Sequence, residues 1–538
     1  MLSRRFDDVR PGPYVGVMVT HPPARPGSGH AAAARIMRGA LLRSGYDAEW
    51  LAAAELAAAV AAYDRGWPEP LREAMASVSA PCAVWVRLFL LGEEIAVAEA
   101  GAVGIPLAAA GELGLVTWRE EGATVRASRC LRPLAPDEVL GSGGEAATGE
   151  ARWWTVSGLP VAIVGDELPA DHVVGVGGAS RSLAALTPRE PVGRALDIGT
   201  GCGVQVLGLA AHAAHVVASD VSPTALDCAE LTCRLSGVES PELVSGSLLE
   251  PVTGEFDLIV ANPPFVMAPP ETRAGPGGFS YRDSPMHGDG LVGVLLESAA
   301  ARLTPGGTLV MTGAWLHCGE DEWQQRVAGW LPSGLAVWVG QRAVLSVPEY
   351  VELWLRDSGA TEHLEERYRQ WLRYLRSQQA QGVGFGFVAV RRPPSSAGQA
   401  GASLIEDLGS ARRLPDGAEV SDQLDRLVRP INAAEMLASV VRPSSGVLVA
   451  DRRVIGDDGT SYPIPASISR PAGFRAEELL DSPVGWLLAE DQPGRPMGQL
   501  LARCSEELAE DPADVLVSWL MGVRDLMEKG FVTLDPLR

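Results

Sequence analysis

The stretch LDIGTGCG, Leu196 to Gly203, decides how this sequence is read. A short apolar run closes on Gly199, Gly201 and Gly203, and apolar residues with helical spacing resume after Val204. Glycines are needed where a backbone turns sharply from strand to helix and a ligand must approach it with no Cβ in the way. The next apolar run, HVVASD, ends in Asp220, about 20 residues on, where a carboxylate can accept hydrogen bonds from both hydroxyls of a ribose. This geometry alone suits either a nicotinamide dinucleotide or S-adenosylmethionine. Outward from it, strand and helix signals alternate: RALDIG, the helix after Val204, HVVASD, a helix from Pro223 to Leu235, PELVSG, FDLIVAN, a helix near Gly290 to Leu303, and GTLVMTG. Such alternation predicts an α/β fold with a doubly wound parallel sheet.

Three regions are expected. Residues 1–140 are rich in alanine and leucine with helical spacing from about His30 to Asp64, then give short helices and a two-stranded ribbon in TWREEGATVRASRCLRPL. That outline fits a winged helix or, equally, a small helical cap with a hairpin. The segment PDEVLGSGGEAATGEA reads as a linker. Residues 151–392 hold the α/β domain, and a second linker, RRPPSSAGQAGAS, leads to residues 404–538, whose helices end in a short strand, a second winged-helix-like pattern.

Composition narrows the function. The 538 residues are 46% hydrophobic and 21% charged, as in a globular protein. No run approaches 20 apolar residues, and the start MLSRRFDDVRPGPY lacks the apolar stretch of a signal peptide, so a cytoplasmic protein without a membrane span is expected. Seven cysteines occur without a CxxC pair, so neither a metal site nor a disulfide framework is signalled. The formal net charge of −22 disfavours a surface built for phosphate backbones and suits a neutral or cationic acceptor such as a peptide. Lys529 is the only lysine, which argues against a lysine base or Schiff-base chemistry.

Three features favour S-adenosylmethionine over a dinucleotide. Asp197 is an acid inside the strand, the glycine spacing is GxGxG without the third glycine of GxGxxG, and Asn262-Pro263-Pro264-Phe265 follows two strands later. Together these resemble the class I S-adenosylmethionine-dependent methyltransferases, in the methyltransferase-small branch that includes release-factor glutamine methyltransferases and some ribosomal-RNA guanine methyltransferases. The resemblance covers roughly Asp171 to Gly319 and implies a Rossmann-like sheet there, flanked by the N- and C-terminal helical, winged-helix-like domains read above from their own pattern. It also implies roles. Gly199, Gly201 and Gly203 would line the methionine part of the cofactor, with Thr200 beside them. Asp197 would reach its amino group, Asp220 with Val221 would hold the ribose, and Ser180 would touch the carboxylate. Relatives carry an acid in GDLFEP where this chain has GSLLEP, so Ser247, with Leu248, takes the place that would contact the adenine amino group.

Prolines cannot donate to a sheet ladder, so Asn262, Pro263 and Pro264 must lie just past a strand end. The Asn262 side-chain carbonyl and the Pro263 backbone carbonyl are two acceptors for the hydrogens of an NH2 group, and Phe265 can stack on a planar acceptor or exclude water. The motif suits nitrogen, and Asn262 also borders the cofactor. An amide or aryl amine needs only polarisation, whereas an aliphatic amine arrives protonated and needs a base. Candidates are Asp283, His287, also readable as a merely solvated side chain, and Asp289, also readable as a helix N-cap. Trp315 and His317, after the strand GTLVMTG, are further candidates to face the acceptor, although core packing is the expected fate of the tryptophan.

The expected function is N-methylation of a peptide or protein, such as a ribosomally made peptide or a release-factor-like protein. The alternatives are a base N-methyltransferase on RNA or DNA, and a non-catalytic cofactor-binding regulator. The winged-helix-like modules would clamp substrate or join two copies as a homodimer.

Overall fold

The computed structural model describes residues 28–141, 151–165, 168–169, 171–273, 283–284, 286–319, 323–357, 363–394, 401–428, 431–455, 461–471, 473–475, 477–489 and 494–536. Its centre is an eight-stranded sheet. The strands are β1 (Val192–Ile198), β2 (Ala213–Asp220), β3 (Glu242–Ser245), β4 (Phe256–Ala261), β5 (Leu303–Cys318), β6 (Ala336–Ser346), β7 (Ala380–Arg391) and β8 (Ser403–Asp407). Their spatial order is β8-β6-β7-β5-β4-β1-β2-β3. β3, β2, β1, β4 and β5 run parallel, whereas β7 is antiparallel to both β5 and β6. Parallel strands are covered on both faces and therefore read as continuous apolar runs. β4, FDLIVA, shows this, with Leu258 to Ala261 all buried.

The helices around the sheet are α1 (Gly178–Leu186), α2 (Val204–Leu209), α3 (Pro223–Ser236), α4 (Gly290–Ala300), α5 (Trp323–Ala328), α6 (Val347–Asp357), α7 (Leu364–Ser377) and α8 (Gly417–Val428). α3 begins where the Ser222 hydroxyl accepts the Ala225 N–H, with proline in the first turn, and ends on the left-handed Gly237. The chain leaves β1 for β2 and β3 on one side and returns to place β4 on the other. The order reverses beside β1, and that is where an open α/β sheet forms its crevice.

The N-terminal module is joined tightly to this core. Helices Pro81–Phe89, Val97–Ala102 and Leu107–Glu112 pack with a three-stranded sheet, Ile95–Ala96, Val116–Arg119 and Thr124–Ala127. Strand Trp153–Ser157, placed with the α/β domain by its sequence position, pairs instead with Cys130–Leu134 of this module. Its outer edge is satisfied by hydroxyls of α3: Ser236 accepts from Trp154 N–H at 3.0 Å and Thr232 from Val156 N–H at 2.9 Å. These bonds answer the demand of an edge strand for partners without another strand.

At the other end the expected boundary at residue 404 does not hold. β8 adds to the sheet parallel to β6, from Val337 opposite Ser403 to Gln341 opposite Asp407. α8 then packs on the β7 side, where Arg391 donates to the Ser421 hydroxyl at 3.0 Å. β8 is too short to show a period. Beyond it, helices Ser482–Ala489, Met497–Leu508 and Pro512–Glu528 surround their own core and end in Val532–Pro536, which pairs antiparallel with Ser439–Pro443. This unit is tied to β8 by a buried ion pair, Arg475 with Glu406, at 2.5 Å. Among the described residues no helix is long and apolar enough to cross a membrane.

Candidate functional site

The glycine turn and the Asn-Pro-Pro segment meet at adjacent strand ends. β1 and β4 are paired up to Ile198 opposite Ala261, so Gly199 and Asn262 leave the sheet side by side. Gly199, Gly201 and Gly203 all have left-handed φ, +71°, +53° and +76°. Their surroundings differ. A Cβ on Gly203 would strike Ala229 of α3 at 2.8 Å, so this glycine is required by packing. A Cβ on Gly201 would meet nothing within 4 Å, and one on Gly199 only the Asn262 carbonyl at 4.0 Å, so these two leave open space along the crevice. The turn is pinned to β2 by N–H bonds from Gly199 and Thr200 to the Ser219 carbonyl.

Two carboxylates face this turn. Asp220 accepts the Gly201 N–H at 3.0 Å on one oxygen and the Ser222 N–H at 2.9 Å on the other, which fixes its plane at the end of β2. Burial raises its pKa, and these backbone bonds oppose the rise. Asp197 is 1% exposed, and its Oδ2 has no hydrogen-bond partner. Desolvation lifts its pKa from 3.8 to about 7, with Asp220 adding to the rise. The Thr200 hydroxyl tempers this from nearby without meeting hydrogen-bond geometry, and it too is buried and unpartnered. An orphaned carboxyl and an orphaned hydroxyl under an open glycine turn are suited to a ligand carrying a cation and further polar groups. Val221, beside Asp220, is 57% exposed, an apolar surface suited to a planar base. Half-buried Ser247 precedes Leu248, a non-glycine residue with φ +49°, and Gly246 N–H bonds the Asp220 carbonyl. Ser180 lies half-buried in the first turn of α1, its carbonyl accepting from Gln205 at 2.8 Å. These groups are of a kind that would hold S-adenosylmethionine, Asp197 its ammonium, Asp220 its ribose and Val221 with Ser247 and Leu248 its base.

The acceptor side is built from β4, β5 and the α6–α7 pair. The Thr312 hydroxyl of β5 donates to Asn262 Oδ1 at 2.7 Å and fixes the amide. Pro263 is buried and Pro264 half-buried. Phe265 meets Trp354 and Phe385 edge-on, with centroids at 6.4 and 6.3 Å, and so forms part of an aromatic wall. Tyr350 of α6 accepts the Met267 N–H at 2.8 Å, and Tyr374 of α7 accepts the Gly288 N–H at 2.9 Å, holding both loops that flank the motif. Thr312, Tyr350 and Tyr374 were absent from the sequence reading; a hydroxyl inside the apolar strand GTLVMTG was the one available signal for Thr312.

The three base candidates part company. Asp283 is buried beside the motif, its segment bridged to Val266. His287 is exposed. Asp289 is a correction. It is neither aimed at the acceptor nor a side-chain cap of α4. Its carboxylate takes both Arg326 Nε and Nη2, at 2.7 and 2.6 Å, and the Leu316 N–H at 2.9 Å, joining α4, α5 and β5. Trp315 packs in the core, as expected for the tryptophan, and His317 is corrected with it as a residue facing the acceptor. Alternate residues of a strand face opposite ways, and Ala314 and Leu316 share the cluster of Val266 and Tyr350 while Trp315 lies in the core on the other face. Trp315 Nε1 and the His317 ring both bond Gln341 Oε1, at 2.8 and 2.7 Å.

Comparison with known proteins agrees with this geometry. The Methyltransferase small domain family matches residues 175–274, and a Domain of unknown function (DUF7059) matches residues 43–128. The chain is 40% identical over 147 residues to a release factor glutamine methyltransferase of Deinococcus radiodurans, covering 26% of this chain and 51% of that one. It is 36% identical over 129 residues to the same-named protein of Xylella fastidiosa, covering 23% and 47%. It is 38% identical over 90 residues to a ribosomal RNA small subunit methyltransferase C of Citrobacter koseri, covering 16% and 26%. The chain thus spans about half the length of the first two relatives and about a quarter of the third. The crevice between β1 and β4 therefore belongs to a class I, S-adenosylmethionine-dependent methyltransferase domain of the methyltransferase-small branch.

Proposed function

We propose that the chain is an N-methyltransferase that modifies an amine or amide nitrogen of a peptide or protein. The observation that carries this reading is Asn262, set at the strand end beside the glycine turn with its side-chain carbonyl fixed by Thr312. When bound, S-adenosylmethionine supplies an electrophilic sulfonium methyl. The chain's own part is positioning. Asn262 Oδ1 and the Pro263 carbonyl accept the two hydrogens of an acceptor NH2, leaving its lone pair directed into the crevice. The Phe265–Trp354–Phe385 wall keeps water from the nitrogen. An amide sheds its proton only after transfer and needs no strong base. For an aliphatic amine, Asp283 is the candidate that stays buried beside the motif.

A peptide acceptor is favoured by the net charge of −22 and by the likeness to release factor glutamine methyltransferases. A ribosomal RNA base is the second reading, favoured by the likeness to a ribosomal RNA methyltransferase. Work in the cytoplasm belongs to either reading. The test is turnover: a bacterial peptide and protein pool incubated with the chain and S-adenosylmethionine should yield S-adenosylhomocysteine and a methylated peptide by mass spectrometry, whereas product only from RNA would reverse the choice.

A further inference from the structure

A cleft of about 310 Å3 lies between the N-terminal ribbon and Gly158, Leu159, Val164, Pro169 and His172. In the antiparallel ribbon Thr117 stands opposite Arg126 and Arg119 opposite Thr124. Arg119 and Arg126 are therefore diagonal neighbours on one face, about 7 Å apart in ordinary sheet geometry. Both line the cleft, with Thr117 and Ser128 adding hydroxyls and Leu159 and Val164 an apolar floor. Some other arginines of this module are matched to acids, Arg87 with Glu93 and Glu99, Arg129 with Asp227 and Arg132 with Asp64, whereas Arg35 and Arg38 bond only carbonyls among the described residues. Among the described residues Arg119 and Arg126 form no ion pair; Arg126 Nε alone is engaged, with the Gly92 carbonyl at 3.0 Å. Two like charges facing one cavity repel until an anion enters.

The chain that lines the cleft at His172 runs on to the border of the crevice. His172, which lines it, follows Asp171, whose carboxylate accepts from Thr224 at 2.5 Å in the first turn of α3, four residues beyond Asp220. The same segment continues through Gly178 into α1. A wall of the cleft is therefore continuous with the border of the cofactor site.

We propose that this cleft is an anion subsite that seats one carboxylate side chain of an otherwise neutral or cationic peptide acceptor, an inference that rests on the peptide reading above. The aliphatic stem of a glutamate would lie on Leu159 and Val164 while its carboxylate is shared by the two guanidiniums. A nucleic acid is disfavoured, because its affinity accumulates from many phosphate contacts. Here two arginines stand alone, with Glu121 in the ribbon turn and Asp171 beside the cleft opposing a polyanion.

The test is calorimetry on the full chain with an N-acetylated Gly-Glu-Gly amide, its Gly-Gln-Gly counterpart and the singly charged dinucleotide UpU, using wild type and Arg119→Glu. The glutamate peptide should bind wild type, bind Arg119→Glu at least about tenfold more weakly, and bind more tightly than the glutamine peptide, with S-adenosylmethionine affinity equal in both proteins. Equal glutamate-peptide binding to both proteins, no binding to wild type, or a UpU preference lost in Arg119→Glu would overturn the proposal. No methyl transfer is read, so failure here and failure of the methylation reading are separate results.

Discussion

The hydroxyl of Thr312 donates 2.7 Å to the side-chain oxygen of Asn262, so the amide at the end of β4 is held by the neighbouring strand β5. Only one lone pair of Oδ1 is used, and the other is left to accept from a substrate N–H.

Removing that support should loosen the acceptor without touching the cofactor. Thr312→Val keeps the shape and loses the bond, and should lower kcat about tenfold with S-adenosylmethionine affinity unchanged by calorimetry. Asn262→Ala, which removes the acceptor itself, should lower kcat by about 100-fold or more, the scale seen when one positioned polar group is deleted.

Cofactor affinity should depend on pH through Asp197. Its pKa is raised to about 7, so below that value the free protein holds a neutral carboxyl that cannot pair with the cofactor ammonium. Affinity should fall about tenfold between pH 8 and pH 6, and Asp197→Asn should bind weakly with no such dependence. The sign for stability is the reverse of a salt-bridged acid. The folded chain binds the extra proton, so its own stability should decline as pH rises from about 4 to about 7 and level off above.

Gly201 and Gly203 should fail differently. Gly203→Ala forces a Cβ against Ala229 at φ +76° and should lower thermal stability by several degrees. Gly201→Ala meets no atom within 4 Å and pays only its left-handed φ, about 1 kcal/mol. It should remain folded yet lose cofactor binding, because its methyl enters the open crevice.

Asp289→Ala should cost stability and leave chemistry intact. It removes the carboxylate from Arg326, which is partly exposed, and orphans the Leu316 N–H, a loss of about 2 kcal/mol. The kcat of the folded fraction should stay within about twofold. A collapse of kcat in a stably folded Asp289→Ala protein would restore this residue as a base.

The parts of the site that were legible share one property: they lie at strand ends, where chemistry and backbone geometry both constrain the residue. Gly199, Gly203, Asp220 and Asn262 are of this kind, and the apolar runs before them give the strands. What stayed hidden depends on partners distant in sequence. Asp289 resembles a cap or a base until Arg326 is placed against it. The core place of Trp315 follows from its residue type, whereas His317 follows the right strand but bonds Gln341 away from the motif, a parity that sequence does not register without knowing which face holds the motif. β8 escaped because Ser403–Asp407 is short, polar at its ends and preceded by linker-like residues.

The central claim is that Asn262 presents an acceptor nitrogen from a peptide to the crevice beside Gly199. The most direct measurement uses S-adenosylmethionine labelled in its methyl group with a cell extract, comparing wild type with Asn262→Ala. The account predicts label in the protease-sensitive fraction with wild type and none with the variant. Label that is nuclease-sensitive, or that persists undiminished in Asn262→Ala, would contradict it.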